Sequence, residues 1–387
     1  MSSLHRRSLL GAAAALSFAA PGRAAGAASA ANAPAAQSAQ TARFGAALPL
    51  TGAYALQGDE ALRGIRLAVE SVNAAGGIGG KPIALTPGDM PAQSSAAAAV
   101  NGLVSKAHAN ILFGSGASAL SYPATAAAEL AQVPFIELNA PADGLMTRGF
   151  KYLLRTAPNT SMTGSLAADT VQARFKGRRL GLLFNTGATG GAIAAAAIAA
   201  LNAAQLPIAL AAGYPEDAVD LYEQVGRMMR AKVEVLLHAA GPDDTLALFQ
   251  AMKSQNWRAG ALIGCGEGYG LRDTAQALDG ALNGTLVIAT PFYPGPARQV
   301  AQAYQARFGV PPRSAASCTA FVGAKLVFDT LNTAGGDPAK LLPALRKVKL
   351  APGALVNGFG AEFDATGQNT ASFVTLQLWK DGALVPA

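Results

Sequence analysis

The stretch FGAALPLTGAYALQGDEALRGIRLAVESVNAAGGIGG, Phe44 to Gly80, decides how the chain is read. Phe44 to Leu48 is a short apolar run closed by Pro49, with the length and composition of a buried strand. After a loop, Leu62, Ile65, the aliphatic stem of Arg66 and Val69 recur at helical spacing. The pair Gly76-Gly77 then stops the helix, because glycine enters left-handed backbone at little cost. A second apolar run follows at Ile83 to Leu85. Strand, helix and strand in so short a span make a βαβ unit, which needs a parallel sheet.

The alternation continues along the chain. Further strands are expected at Ile83 to Thr86, Asn110 to Phe113 and Val133 to Ile136, with helices at Asp59 to Ala75, Ser94 to Lys106 and Ser118 to Ala131. The pattern breaks at Gly149 to Asn159 and restarts, with strands at Leu180 to Phe184, Ile208 to Ala212, Val233 to Leu237, Ala261 to Gly264 and Thr285 to Ala289. Helices are expected between them at Ala188 to Ala204, Asp220 to Arg230 and Asp243 to Asn256. From Pro296 the chain turns helical, through Val300 to Phe308, Ala316 to Thr333 and Pro338 to Val348, and it ends in strand-like Glu362-Phe363 and Ser372 to Trp379. The fold class is therefore α/β: two doubly wound parallel-sheet lobes of Rossmann type.

Totals agree with two lobes. A chain of 387 residues, 51% apolar and 14% charged, is too long for one ordinary core and has ample apolar surface to bury. Its formal charge of +7 overstates its basicity, since Arg6, Arg7 and Arg23 fall in the first 30 residues; without those three of the 30 bases, 27 face 23 acids. A thin surplus spread over so long a chain makes no basic stripe, so nucleic acid is not expected as a partner. His5-Arg6-Arg7-Ser8-Leu9-Leu10, the apolar run to Ala20 and the small residues Ala28-Ser29-Ala30 have the grammar of a signal peptide over residues 1–30. Paired arginines fit a twin-arginine signal and also occur in ordinary secretory ones. The apolar run is too short to span about 30 Å of hydrocarbon, so the expected product is an exported, periplasmic protein, preceded by an Ala/Ser/Gln-rich linker over 31–41. Cys265 and Cys318, the two cysteines, are expected as buried thiols.

Leu-Pro-Leu-Thr-Gly at 48–52, the Gly58-Asp59 pair, Asn73 to Lys81 and Met146 to Thr156 closely resemble the periplasmic binding proteins of the branched-chain amino acid (Leu/Ile/Val) type. The resemblance covers nearly the whole mature chain. It implies the type 1 periplasmic binding fold, in which the chain crosses a hinge three times; here the crossings would fall at 157–160, 288–292 and 350–354. Lobe 1 would then be 42–157 with 292–350, and lobe 2 160–288 with 354–387. Family members often carry a disulfide in the first lobe, at places matched here by Pro91 and Ala117, so this chain lacks that staple.

The residues themselves point to one anchor. Ile111 to Ala124 runs from a strand through Gly114 and Gly116 into a helix, and free amides at such a helix start favour an anion, with the Ser118 hydroxyl as a further donor. The resemblance places the ligand carboxylate there, on Gly116, Ala117 and Ser118. It adds the loop at Asn139 and Ala140, where Pro141 replaces a threonine typical of the family and Asn139 could substitute. It also adds Gln57 in place of an aromatic, Thr189 in place of a tyrosine, His238 after a strand, and Glu267 as the acid that pairs with a ligand ammonium.

Enzymatic readings find little support. Gly116 to Leu120 misses the last position of a nucleophile elbow, and the Gly264 to Gly268 run lacks the spacing of a dinucleotide fingerprint. Only His108 and His238 lie beyond the leader, so neither a histidine metal cluster nor any cofactor is expected. The expected role is that of a monomeric receptor that closes its lobes on a small carboxylate-bearing solute, branched-chain or other aliphatic amino acids first and aromatic or aliphatic acids next, and hands it to an ABC permease. The alternative is a periplasmic sensor that signals to a partner protein.

Overall fold

The computed structural model describes residues 42–387, so the signal peptide and linker expected over 1–41 lie outside the described residues. The chain opens with β1 (Phe44–Leu48), buried at every position, followed by α1 (Ala55–Ala74) and β2 (Leu85–Asp89). Next come α2 (Gln93–Ser105), β3 (Ile111–Gly114), α3 (Ser118–Leu130), β4 (Phe135–Glu137) and β5 (Leu153–Arg155). These strands form one parallel sheet in the order β2-β1-β3-β4-β5. The stripe that α1 buries is Ala61, Leu62, Ile65, Ala68 and Val72; Arg66, whose stem was expected inside, is exposed.

The opening stretch is fixed by close backbone approaches. A Cβ on Gly58 would lie 1.7 Å from the Pro49 carbonyl oxygen, and one on Gly64 2.1 Å from that of Ser317. Asp89 holds the turn after β1 by accepting from the amides of Leu50 and Thr51 and from the Thr51 hydroxyl. Asp59 pairs with Arg63 at 2.9 Å and Arg313 at 3.1 Å. The Gly-Asp pair thus serves packing and an ion-pair cluster.

A second run follows: α4 (Thr160–Arg174), β6 (Leu180–Asn185), α5 (Gly190–Ala203), β7 (Ile208–Tyr214), α6 (Tyr222–Arg230), β8 (Val235–Ala239) and α7 (Pro242–Ser254). It continues through β9 (Ala261–Cys265), the short α8 (Glu267–Gly270), α9 (Arg272–Ala277) and β10 (Leu286–Ala289). After that come α10 (Arg298–Phe308), α11 (Ala316–Thr333) and α12 (Leu341–Leu345), the small ladder of β11 (Lys349–Leu350) with β12 (Ala361–Glu362), and finally β13 (Thr375–Lys380) and β14 (Ala383–Pro386). The second sheet has the order β14-β13-β10-β9-β8-β6-β7, parallel except for its last two strands. That antiparallel edge, not foreseen as such, turns at Asp381-Gly382, both with positive φ, the usual chemistry of a tight hairpin.

The chain passes between the sheets three times. It leaves the first after β5, and α4 packs on α5. It returns after β10: α11 lies along α1, and Phe328 meets Phe44 and Phe113 edge-on at 4.9 and 5.6 Å. The last passage comes later than the expected 350–354. Ala361 and Phe363 are buried in the first core, Gln368 Oε1 accepts from Arg155 at 2.5 Å, and Asn369 Nδ2 donates to the Thr156 carbonyl at 3.1 Å. The chain therefore stays with the first sheet until about Ser372 and only then enters β13. Cys265 and Cys318 are free, buried thiols, each pushed up to about 12 by burial. Among the described residues no helix is long and apolar enough to cross a membrane.

Candidate functional site

Between the two sheets lies a cavity of about 160 Å³, walled by loops at the carboxyl ends of their strands. The first-lobe wall consists of Ala53, Tyr54, Gln57, Gly116, Ala117, Asn139 and Pro141. Opposite stand Asn185, Thr189, Gly190, Ile193, Glu216, Gly266 and the run Ala240 to Asp244. The walls touch where the Tyr54 hydroxyl donates to Glu216 Oε1 and where the Ser118 amide donates to Thr189 Oγ1 at 3.3 Å. Nearby, Arg313 reaches across from Asp59 to Asp273, at 2.9 Å to the latter.

On the first wall, Gly116 has φ +85, which keeps the turn into α3 tight. Beneath it, Glu137 is fully buried and gathers the loops. It accepts from the amides of Ser115, Leu138, Asn139 and Ala140 and from the hydroxyls of Ser115 and Ser121. Arg155, also fully buried, donates to the carbonyls of Ala140 and Ala142 at 3.1 and 2.8 Å; burial, opposed by Asp143 and Glu137, brings its pKa down to about 10. The wall is thus a rigid backbone frame. Two amide side chains on it retain unused capacity: Asn139 Nδ2 and Gln57 Oε1 are buried without a hydrogen-bond partner in the protein.

The second wall carries charge. Asp244, in the first turn of α7, accepts from the Gly241 amide at 2.8 Å and from Asn185 Nδ2 at 3.0 Å. Burial pushes its carboxyl above the usual range, with Asp243 and Glu216 adding repulsion against those two donors. Burial and Glu216 likewise push the Tyr54 phenol up, so it stays protonated as a donor. No Lys, Arg or His lines the cavity among the described residues, whereas three carboxylates do.

Of the positions singled out in the sequence, Gln57, Gly116, Ala117, Asn139 and Thr189 come together on this cavity. Three do not line it. Ser118 is fully buried, and its hydroxyl accepts from the Ala142 amide at 3.2 Å. Ala140 spends its amide on Glu137 at 2.9 Å. His238 lies inside the second lobe with Nε2 on the Tyr214 hydroxyl at 2.7 Å and Nδ1 on the Tyr269 hydroxyl at 2.6 Å; burial lowers its pKa to about 3, so the ring is neutral. Its strand position faces the core because the wall begins only beyond the end of β8. Glu267 opens α8, directly after the wall residue Gly266. The reading missed Tyr54, Asn185, Glu216, Asp243 and Asp244. The Pro242-Asp243-Asp244 run at the start of a helix that follows a strand was the available signal.

The family of periplasmic binding proteins matches residues 41–383. The chain belongs to that family. Two relatives from Brucella abortus (strain 2308) are similar to it: Leu/Ile/Val-binding protein homolog 8, 31% identical over 363 residues and 89% of each chain, and homolog 7, 30% identical over 360 residues, 89% of this chain and 90% of the relative. The fold is also that of the branched-chain amino acid transporter substrate-binding protein LivJ from Streptococcus pneumoniae, solved with isoleucine (TM-score 0.77, 21% identity, 89% of this chain and 98% of that one). It is equally like a solute-binding protein of an ABC transporter from R. palustris, solved with benzoate (TM-score 0.77, 19% identity, 89% and 95%). The molecule therefore has the type 1 periplasmic binding protein fold and is a binding protein, not an enzyme. A periplasmic location follows from the family.

Proposed function

We propose that this protein is the receptor of an ABC importer for a small solute carrying both a carboxylate and an amine, which it encloses between its lobes and offers to a membrane permease. The observation that carries the reading is the division of charge across the cavity. One wall holds the glycine turn at Gly116-Ala117 and the partnerless donor Asn139 Nδ2, and the other holds Glu216, Asp243 and Asp244, with no base among the described residues.

A zwitterion matches both sides. Its carboxylate would dock at the Gly116-Ala117 turn and Asn139, and its ammonium would meet Asp244 and Glu216 in charge-assisted bonds. A simple acid such as the benzoate of the R. palustris neighbour would bring negative charge to a cavity already holding three carboxylates, whereas isoleucine, as in the LivJ neighbour, would not. Closure would make both sets of contacts at once, so only a solute with both groups shifts the equilibrium between open and closed lobes.

A thermal-shift screen of the purified chain against L-amino acids and their deaminated counterparts tests this, since a ligand of the native state raises the melting temperature. Stabilisation by amino acids and silence from the matching acids is expected. Equal stabilisation by an acid lacking the amine would overturn the proposal.

A further inference from the structure

Gln57 sits in the first turns of α1, lines the cavity and is 4% exposed, yet its Oε1 has no hydrogen-bond partner in the protein. A buried carbonyl oxygen loses its water on folding, and such atoms nearly always recover a donor. Neighbouring side chains do not supply one: Ala53, Ala117 and Pro141 have no side-chain donors, the Tyr54 hydroxyl is committed to Glu216 and Asn185 Nδ2 to Asp244, and Asn139 Nδ2, itself without a partner in the protein, makes no bond to Oε1. The carboxylates opposite are acceptors like Oε1 itself.

Resting on the amine-and-carboxylate reading above, we infer that Gln57 is a specificity residue that takes a hydrogen bond from the ligand's side chain. The solute class is then small polar amino acids, with a hydroxyl or carboxamide, in preference to purely aliphatic ones. The ligand ammonium is claimed by three carboxylates on the other wall, so the donor for Oε1 is a second one. Leucine, isoleucine and valine carry no second donor and would leave Oε1 buried and unpaired. A site built to bond a polar group rejects the analogue that lacks it, here by about 10- to 100-fold.

Titration calorimetry of near-isosteric pairs, threonine against valine and asparagine against leucine, tests the inference on the full chain. The polar member is expected to bind at least about tenfold more tightly. Gln57→Met keeps the length of the side chain and removes the acceptor, so the preference should collapse; Gln57→Glu keeps an acceptor and should retain it. Unfolding curves of both variants confirm that they fold. Valine binding as tightly as threonine to the unsubstituted chain, or a preference unchanged in Gln57→Met, overturns the role of Gln57 while leaving the amine-and-carboxylate reading standing. Binding of deaminated acids with no amino acid binding at all overturns that reading, and this inference with it.

Discussion

The two walls of the cavity are made by the same topological device, loops at the carboxyl ends of parallel strands, and finish in opposite chemistry. The first-lobe wall is backbone and amide: Gly116, Ala117, Asn139 and Pro141, braced from behind by Glu137 and Arg155, whose charges are spent on the loops themselves. The second-lobe wall leaves its charge in the cavity, with Asp244 held by Gly241 and Asn185 and with Glu216 on the Tyr54 hydroxyl. A rigid, neutral wall suits the first docking of an anionic group. A charged wall that arrives on closure suits the discrimination of what else the solute carries. On the proposed reading the first lobe docks the carboxylate, with Gln57 reading the side chain, and the second lobe selects for the amine.

The sharpest way to break that division is Asp244→Asn. Asparagine keeps an oxygen for the Gly241 amide, so the start of α7 survives while the charge goes. Loss of a charge-assisted bond to an ammonium should cost about 2 kcal/mol, roughly a 30-fold fall in affinity for an amino acid. The same substitution should improve binding of the deaminated acid, because one repulsive charge has been removed. Calorimetry with both ligands reads the two changes together; equal losses for both would mean that Asp244 only shapes the wall.

The pH dependence probes the same residue without mutation. Burial raises the Asp244 carboxyl pKa in the folded protein, so its ionised form is disfavoured there and its ionisation costs folding stability as pH rises through the raised value. An ammonium ligand favours the ionised form. Binding of an amino acid should therefore release protons in mildly acidic buffer, and affinity should decline on acidification sooner than an ordinary carboxylate would dictate, by at most about tenfold per pH unit for this one group. Calorimetry in buffers of different ionisation enthalpy counts those protons. A pH-independent affinity down to the normal carboxylate range would remove Asp244 from the ammonium contact.

Much of the frame was legible in the sequence because strong periodicity and strong punctuation coincide there: β1, α1 and the Gly76-Gly77 stop leave few alternatives. The misses have physical reasons. In β5, the strand Leu153–Arg155 hides behind an arginine that is fully buried, against the rule that charge marks surface. In α4, the buried face consists of Thr160, Thr163, Gly164, Ala167, Ala168, Thr170 and Val171, too small and too polar to stand out as an apolar stripe. The first wall was readable because a strand, a glycine turn and a helix start are local. The second was not, because the acids at 216, 243 and 244 follow two different strands and converge only in the folded lobe. His238 was drawn in by its position at a strand end, although its side chain belongs to the Tyr214-Tyr269 network of the core.

Asn139→Ala tests the neutral wall, with a smaller expected effect. Its Nδ2 is a single uncharged donor, and its loss should cost about 1 kcal/mol, near fivefold in affinity. The loss should be the same for an amino acid and for any deaminated acid that still binds, since both present a carboxylate to that wall. An effect confined to the amino acid would place Asn139 on the amine instead and blur the contrast between the walls.

Ser118→Ala should change affinity least, within about twofold, although this position begins the helix aimed at the site. Its hydroxyl is buried away from the cavity lining and accepts from the Ala142 amide, so its removal leaves that amide unpaired behind the wall. The cost should appear as stability, about 1 kcal/mol in denaturant unfolding, with ligand affinity nearly unchanged. The contrast with Asn139→Ala separates a residue that builds the frame from one that offers a donor beyond it. If Ser118→Ala lowers affinity as much as Asn139→Ala does while stability holds, the hydroxyl turns to the ligand when the lobes close, and the first wall is more adaptable than its hydrogen-bonded frame implies.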